Sequence, residues 1–284
     1  MLAQRVVTAL VLLALLLPAL FAPVAWPFQA FTLLLVAAAG WEWGRLCGVG
    51  FVPALAAGAA IAGAGVAAIA LGWVDLAPGI GWWLPGAAWM VGGTLALAAG
   101  PHAWQRAPRL PRWLLGAVLL WAAWLAMAQA RTLGLPFLLS VFLLVWMADI
   151  AAYAGGRAFG RRKLAPSISP GKSWEGAVSG LIGVVLLAAA WIWADGQLPW
   201  ARGSLYARLL DGLGLAGALV ALALLVAMSV VGDLCESLVK RACGAKDSSR
   251  LLPGHGGVLD RIDALLPVFP LAVALAALAT PAAR

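Results

Sequence analysis

Long apolar stretches recur from end to end of this chain, near residues 6–24, 26–44, 50–71, 82–99, 113–130, 136–155, 176–194, 213–233 and 264–282. A helix needs about 20 predominantly apolar residues to cross a hydrocarbon core of roughly 30 Å. The pattern therefore predicts an all-α polytopic membrane protein with about nine transmembrane helices. Composition agrees: 64% of the residues are hydrophobic and 11% charged, against about 25% charged in an ordinary soluble domain. A water-soluble globule is excluded. The longest polar connection, about 233–263, is too short for an independent core. Residues 1–284 are expected to form a single integral membrane domain, and the first apolar segment, lacking a small-x-small cleavage site, is expected to be retained.

The net charge of +8 does not indicate nucleic acid, because Lys and Arg punctuate the apolar segments rather than covering a soluble face. They fix orientation instead, since basic loops favour the cytoplasm. With the N-terminus cytoplasmic, 15 of the 19 basic residues fall inside, and Arg131, Arg202, Arg208 and Arg284 fall outside. Cys47, Cys235 and Cys243 show no metal-ligand spacing and are read as unpaired. Several of the 16 Trp, such as Trp41, Trp43, Trp82, Trp83, Trp113 and Trp200, stand beside span ends as interfacial anchors do. Nine of the 11 acids lie at or after Asp149. Residues 1–135 thus read as mainly scaffold and lipid-facing wall, and 136–284 as the catalytic half, with the site at the cytoplasmic ends of the C-terminal helices.

Two polar clusters stand out in that half. In the first, Asp149, Tyr153, Gly156, Arg157 and Gly160 fall at i, i+4, i+7, i+8 and i+11, one face of a continued helix. A carboxylate at membrane depth costs about 2.5–3.5 kcal/mol on insertion scales, so Asp149 is expected to face a cation or donor inside the bundle; a structural pair with Arg157 is the plainer reading. Lys163 follows, and then Pro166 to Gly171, which cannot be helical. A helix starting beside Lys172, Ser173 and Glu175 would offer free backbone N–H groups to a phosphate, or would simply be a capped start. Gly171-Lys172-Ser173 lacks the earlier glycine and the preceding strand of a nucleotide-binding P-loop.

In the second cluster Asp233, Glu236, Ser237, Lys240 and Arg241 stand at i, i+3, i+4, i+7 and i+8, again one face. Metal-type oxygens come first and phosphate-type cations two turns later, an order that a substrate–metal complex could bridge. Lys246-Asp247 and the loop Pro253-Gly254-His255-Gly256-Gly257 follow, then Asp260, Arg261 and Asp263. The glycines let backbone N–H groups approach an anion closely. Asp247 and Asp263 also suit a structural ion-pair lattice, and His255 suits either a phosphate donor or loop packing. Hard oxygens without Cys or paired His point to Mg²⁺, with Glu236 a further candidate ligand.

From Ser237 to Asp263 the chain resembles the phosphatidate cytidylyltransferases, in the pattern Ser-x-apolar-Lys-Arg, four residues, Lys-Asp, then Pro/Gly-x-His-Gly-Gly-apolar-x-Asp-Arg-apolar-Asp. Ala152-Tyr153, Phe159-Gly160, Lys163-Leu164-Ala165-Pro166 and Ser169-Pro170-Gly171-Lys172 are also similar, whereas Ile150 stands where relatives often have Ser or Thr. Earlier in the chain the likeness is confined to hydropathy and Trp41-Glu42-Trp43. The resemblance implies a polytopic helical homodimer in a bacterial cytoplasmic membrane, and transfer of CMP from CTP to phosphatidic acid. It also implies Mg²⁺ dependence with a second monovalent cation such as K⁺, and metal ligation at Asp233 and Asp260. With Lys240 and Arg241 these make the expected catalytic set. Substrate contacts are expected from Asp149, Tyr153, Arg157, Lys163, Lys172, Ser173, Glu175, Ser237, Lys246, Asp247, His255, Gly256, Gly257, Arg261 and Asp263.

The residues fit such chemistry on their own terms. A phosphate monoester is largely dianionic at pH 7 and needs little general-base help as a nucleophile, so positioning and charge neutralisation suffice. The rivals are a CTP-dependent lipid-alcohol kinase, which would move the γ-phosphate, and a membrane transporter with broken helices and midplane charges.

Overall fold

The computed structural model describes residues 2–279, so Arg284 and the end of the last expected span lie outside the described residues. Eleven α-helices follow in order: α1 (Leu2–Phe21), α2 (Trp26–Leu46), α3 (Phe51–Ala70), α4 (Trp83–Ala87), α5 (Thr94–Arg106), α6 (Arg109–Leu133), α7 (Leu135–Phe159), α8 (Trp174–Gln197), α9 (Leu205–Ala242), α10 (Leu259–Ile262) and α11 (Leu265–Ala279). This is an all-α polytopic membrane protein. Among the described residues, seven helices are long and apolar enough to cross a membrane. The other two expected spans are α2, which is equally long but carries Gln29, Thr32 and Glu42 in its buried face, and the stretch around 82–99. That stretch is broken. A π turn at Ala88–Gly93 separates α4 from α5, and Gly100 takes a left-handed φ of 79° before Pro101.

The C-terminal half is assembled around α9 and α11. After a break at Gly214, where φ is 68°, α9 runs uninterrupted through the expected 213–233 span and on to Ala242, so the second cluster is helical as its spacing predicts. Helix α11 is apolar on every side, as a helix enclosed by others must be, with Val268, Phe269, Leu271, Ala272 and Val273 fully buried. It approaches α9 closely at Gly232, where a Cβ would lie 3.0 Å from Pro267 and overlap the Asp263 carbonyl oxygen. A similar contact joins α7 to α8. Side-chain carbons at Gly176 and Gly180 would lie 2.8 and 2.9 Å from the carbonyl oxygens of Ala152 and Ala148, the close backbone approach that small residues four apart permit in membrane helices.

Between α7 and α8 the chain forms a short ribbon: β1 (Lys163–Ala165) pairs antiparallel with β2 (Ser169–Ser173), Lys163 opposite Ser173. Pro166 and Pro170 lack N–H donors, which a short two-stranded ribbon tolerates because its outer edges are unpaired. Lys172 therefore sits in a strand, two residues before α8 begins at Trp174. Ser173 caps α8, its Oγ accepting from Gly176 N at 3.1 Å. Cys47, Cys235 and Cys243 are all free.

Candidate active site

The first cluster lines a cavity of about 570 Å³ enclosed by α7, the hairpin, α8 and α9, within the range typical of small-molecule sites. Asp149, Tyr153, Gly156 and Arg157 face it from α7, Lys172 and Ser173 from β2, and Asp233 from α9. The close α7–α8 contact is what turns this face of α7 towards the cavity rather than towards lipid.

Lys172 Nζ lies 2.6 Å from Asp233 Oδ2, which joins the first cluster to the second. Ser237 Oγ donates to Asp233 Oδ1 at 3.4 Å, one helical turn on. Asp149, in the cavity lining, and Asp263, outside it, both lie within electrostatic range of Asp233 and Lys172, so three acids surround one ammonium group.

One turn further along α9 is a second, more enclosed arrangement. Lys240 pairs with Glu236 on its own helix and with Asp260 Oδ1 at 2.6 Å. Both carboxylate side chains are only 5% exposed, so a buried acid pair shares one cation. Asp260 Oδ2 accepts from Ser248 N and Ser248 Oγ, each at 2.9 Å, and from Gly257 N at 2.7 Å. The glycine loop thus does bring backbone N–H to an anion, and in this structure the anion is the protein's own carboxylate. Gly256 has a φ of 85°, and a Cβ there would stand 2.7 Å from Asp260 Oδ2, which accounts for glycine at that position. Glu236 Oε1 is buried and makes no hydrogen bond.

Other expected residues serve the frame around these centres. Glu175 accepts from Arg161 N at 3.0 Å and Arg162 N at 3.1 Å and pairs with Arg162 Nε at 3.0 Å, fastening the end of α7 to the start of α8. Arg241 Nε reaches Ile168 O in the hairpin turn at 3.5 Å. Asp263 Oδ1 accepts from Ala264 N at 2.8 Å. His255 lies in the loop with Nδ1 buried and without a hydrogen-bond partner. Lys163, Lys246, Asp247 and Arg261 are exposed outside the cavity lining.

Two residues of the site were given no role from the sequence: Ser248, and Glu42, which was noted only within Trp41-Glu42-Trp43. Glu42, on α2 in the half expected to be scaffold, is fully buried and accepts from Ser249 Oγ at 2.5 Å, Val258 N at 2.9 Å and Leu259 N at 2.7 Å. Its signal was a lone acid near the end of an apolar span, which marks a functional candidate in membrane helices.

Residues 3–279 match the model of the cytidylyltransferase family. The chain is 39% identical over 281 residues to a phosphatidate cytidylyltransferase of Pseudomonas aeruginosa, covering 97% of each chain. A phosphatidate cytidylyltransferase of Haemophilus influenzae is 50% identical over 137 residues, 48% of this chain and 44% of that one. One of Brucella suis is 47% identical over 133 residues, 47% and 44% of the two chains. With nearly its whole length matched, and with two polar clusters meeting at one cavity, the chain belongs to the cytidylyltransferase family.

Proposed function

We propose that the chain is a phosphatidate cytidylyltransferase, a nucleotidyltransferase that joins CTP to phosphatidic acid to give CDP-diacylglycerol and pyrophosphate. The observation that carries this reading is the Lys172–Asp233 contact in the lining of the 570 Å³ cavity, a cation suited to phosphate beside a carboxylate suited to a metal. Full-length similarity to a protein of that name supports it.

In this reading a phosphate oxygen of phosphatidate attacks the α-phosphorus of CTP. The bond from that phosphorus to the β-phosphate bridging oxygen breaks, and pyrophosphate leaves. Lys172 moves from Asp233 to a substrate phosphate, exchanging one anion for another without leaving its charge bare. Arg157 adds a second cation at the cavity mouth, suited to the lipid headgroup. Lys240 and Arg241 lie two turns after Asp233, about 10–12 Å along the helix, a reach comparable with a triphosphate.

Mg²⁺ fits the donor set. No group of three or more His, Cys, Asp or Glu side chains converges as a metal cage among the described residues, and Mg²⁺ is commonly held by one or two carboxylates and completed by water and substrate phosphates. Asp233 and Asp260 would hold it, and the unpartnered Oε1 of Glu236 offers a further hard oxygen. Bound there, it would neutralise charge on the transferring phosphoryl group. A monovalent cation such as K⁺ and a homodimeric assembly in a bacterial cytoplasmic membrane complete the proposal.

The direct test is purified protein with phosphatidate and CTP labelled in either the α- or the γ-phosphate. Label from the α-phosphate should enter lipid. Label from the γ-phosphate instead would identify a lipid kinase, and no lipid label from either would remove the enzymatic reading.

We also place the site on the cytoplasmic side, where CTP is available, on the strength of the asymmetric basic loops. The exposed hairpin residue Ser167 can report which side the site faces. In a background lacking the exposed Cys243, Ser167→Cys should react with an impermeant thiol reagent in inverted vesicles and not in intact cells. The reverse pattern would invert the topology.

A further inference from the structure

Glu42 is one of only two acids before Asp149, and its side chain is wholly removed from solvent. A buried carboxylate is normally paired with a cation or neutralised. Among the described residues Glu42 has no Lys or Arg at ion-pair distance; it is compensated by hydrogen bonds alone. Oε1 accepts from Ser249 Oγ and Val258 N, and Oε2 from Leu259 N at 2.7 Å and Ser248 Oγ at 3.2 Å. An ionised carboxylate has about four acceptor sites; three are filled by Ser249 Oγ, Val258 N and Leu259 N, and the fourth faces Ser248 Oγ, whose single proton is shared with Asp260.

The four donors come from the two ends of a single loop, Ser248–Ser249 at its start and Val258–Leu259 at its finish. Glu42 therefore closes that loop as a clasp supplied by a distant helix. The same loop supplies every donor to Asp260 Oδ2: Ser248 N, Ser248 Oγ and Gly257 N. Ser248 Oγ stands between the two carboxylates, 3.2 Å from Glu42 and 2.9 Å from Asp260. Packing is tight as well as polar, since a Cβ on Gly257 would come 2.5 Å from Glu42 Oε1. With Oδ2 held in this way, Asp260 can present only Oδ1 to the Lys240 side of the site.

We propose that Glu42 is a positioning residue for cytidylyl transfer: it clasps the Ser248–Leu259 loop and, through Ser248 and Gly257, sets the orientation in which Asp260 meets the metal and the substrate phosphates. The kinetic part of this inference rests on the proposed function, whereas the clasp itself does not. The N-terminal half then contributes to the site directly, and α2 is more than a wall against lipid.

The test compares Glu42→Gln and Ser248→Ala with the full-length parent in detergent. Glu42→Gln keeps size and shape but turns an amide NH₂ towards groups that are themselves donors, so part of the clasp must open. Peptides covering 248–259 should exchange backbone hydrogens faster, a readout that needs neither substrate nor metal. Partners that orient a metal ligand are typically worth about 10–100-fold in metal affinity or activity. Among properly folded molecules, kcat should therefore fall by about that factor, and the Mg²⁺ concentration giving half-maximal rate should rise by about tenfold.

Ser248→Ala removes the hydroxyl shared by Asp260 and Glu42, and leaves the other three Glu42 contacts and the two backbone donors to Asp260 in place. It should shift the Mg²⁺ dependence in the same direction with little change in loop exchange. A residue with a purely structural role would give a different result: fewer folded molecules, each with the parental kcat and Mg²⁺ dependence. That outcome, or an unchanged Mg²⁺ dependence in Ser248→Ala where Glu42→Gln does not fold, overturns the positioning role. Unchanged exchange of 248–259 in folded Glu42→Gln overturns the clasp. If the parent itself transferred no label from CTP to lipid, the proposed function would fail while the exchange result still decided the clasp.

Discussion

Asp233→Asn is expected to lower turnover by about 10³-fold or more at saturating Mg²⁺ and both substrates, with the protein still folded. The estimate follows from removing one negative charge at the point where an ion would neutralise a transferring phosphoryl group, which is worth several kcal/mol; each 1.36 kcal/mol is about tenfold in rate. Folding should survive because the side chain of Asp233 is 32% exposed to the cavity and its Lys172 partner 25% exposed. Neither group is left stranded in a dry interior, and partly exposed pairs contribute little to stability. An amide at this position still accepts from Ser237 Oγ, so the local helix is undisturbed. Asp260→Asn should be equally inactive but less stable, because an amide has one acceptor oxygen where Asp260 uses two, so its NH₂ must face either the Ser248 and Gly257 donors or the Lys240 ammonium group. The measurement is the rate of α-phosphate label entering lipid, beside a thermal melt in detergent. Near-normal turnover in Asp233→Asn would remove Asp233 from the metal assignment.

The parts of this molecule that a sequence makes legible are those governed by period and by solvent. Apolar runs became helices, and the 3.6-residue repeat put Asp149, Tyr153 and Arg157 on one face, and Asp233, Ser237 and Lys240 on another, because local geometry alone fixes side-chain direction. What the sequence did not disclose depends on how distant segments meet. The Lys172–Asp233 contact needs α8 to turn back against α7, which glycine packing decides and hydropathy does not register. The hairpin is too short for an alternating pattern, and its prolines read as loop. The interruptions between α4 and α5 and within α5 did leave a trace, in Gly92-Gly93 and Gly100-Pro101 respectively, pairs that commonly mark turns. Glu42 was hidden by its surroundings: in an apolar helix an acid is conspicuous, but only the folded loop shows which donors it serves.

The largest effect on stability is expected at Lys240. Its ammonium group, 14% exposed, is the shared cation of Glu236 and Asp260, whose side chains are each 5% exposed. Lys240→Met retains a chain of similar length and removes that cation, leaving Glu236 and Oδ1 of Asp260 without a counter-charge, although Oδ2 keeps its donors from Ser248 and Gly257. Removing one partner of a buried pair typically costs about 3–5 kcal/mol, so the melting temperature in detergent should fall sharply and activity with it. Loss of activity alone cannot separate a phosphate-binding lysine from a structural one. Glu236→Gln supplies the separation, since an amide at 236 relieves the uncompensated charge that Lys240→Met creates. The double variant should therefore recover much of the lost stability, a non-additivity expected of groups in direct contact. It should remain inactive if Lys240 also engages CTP. Lys172→Met provides the contrast: its pair faces the cavity, so its melting temperature should stay near the parent while KM for phosphatidate rises and KM for CTP does not, the pattern of a contact made equally in ground and transition states. A parental melting temperature in Lys240→Met would show that the acid pair does not depend on this cation. An increase in KM for CTP alone in Lys172→Met would reverse the assignment of the two lysines to the two substrates.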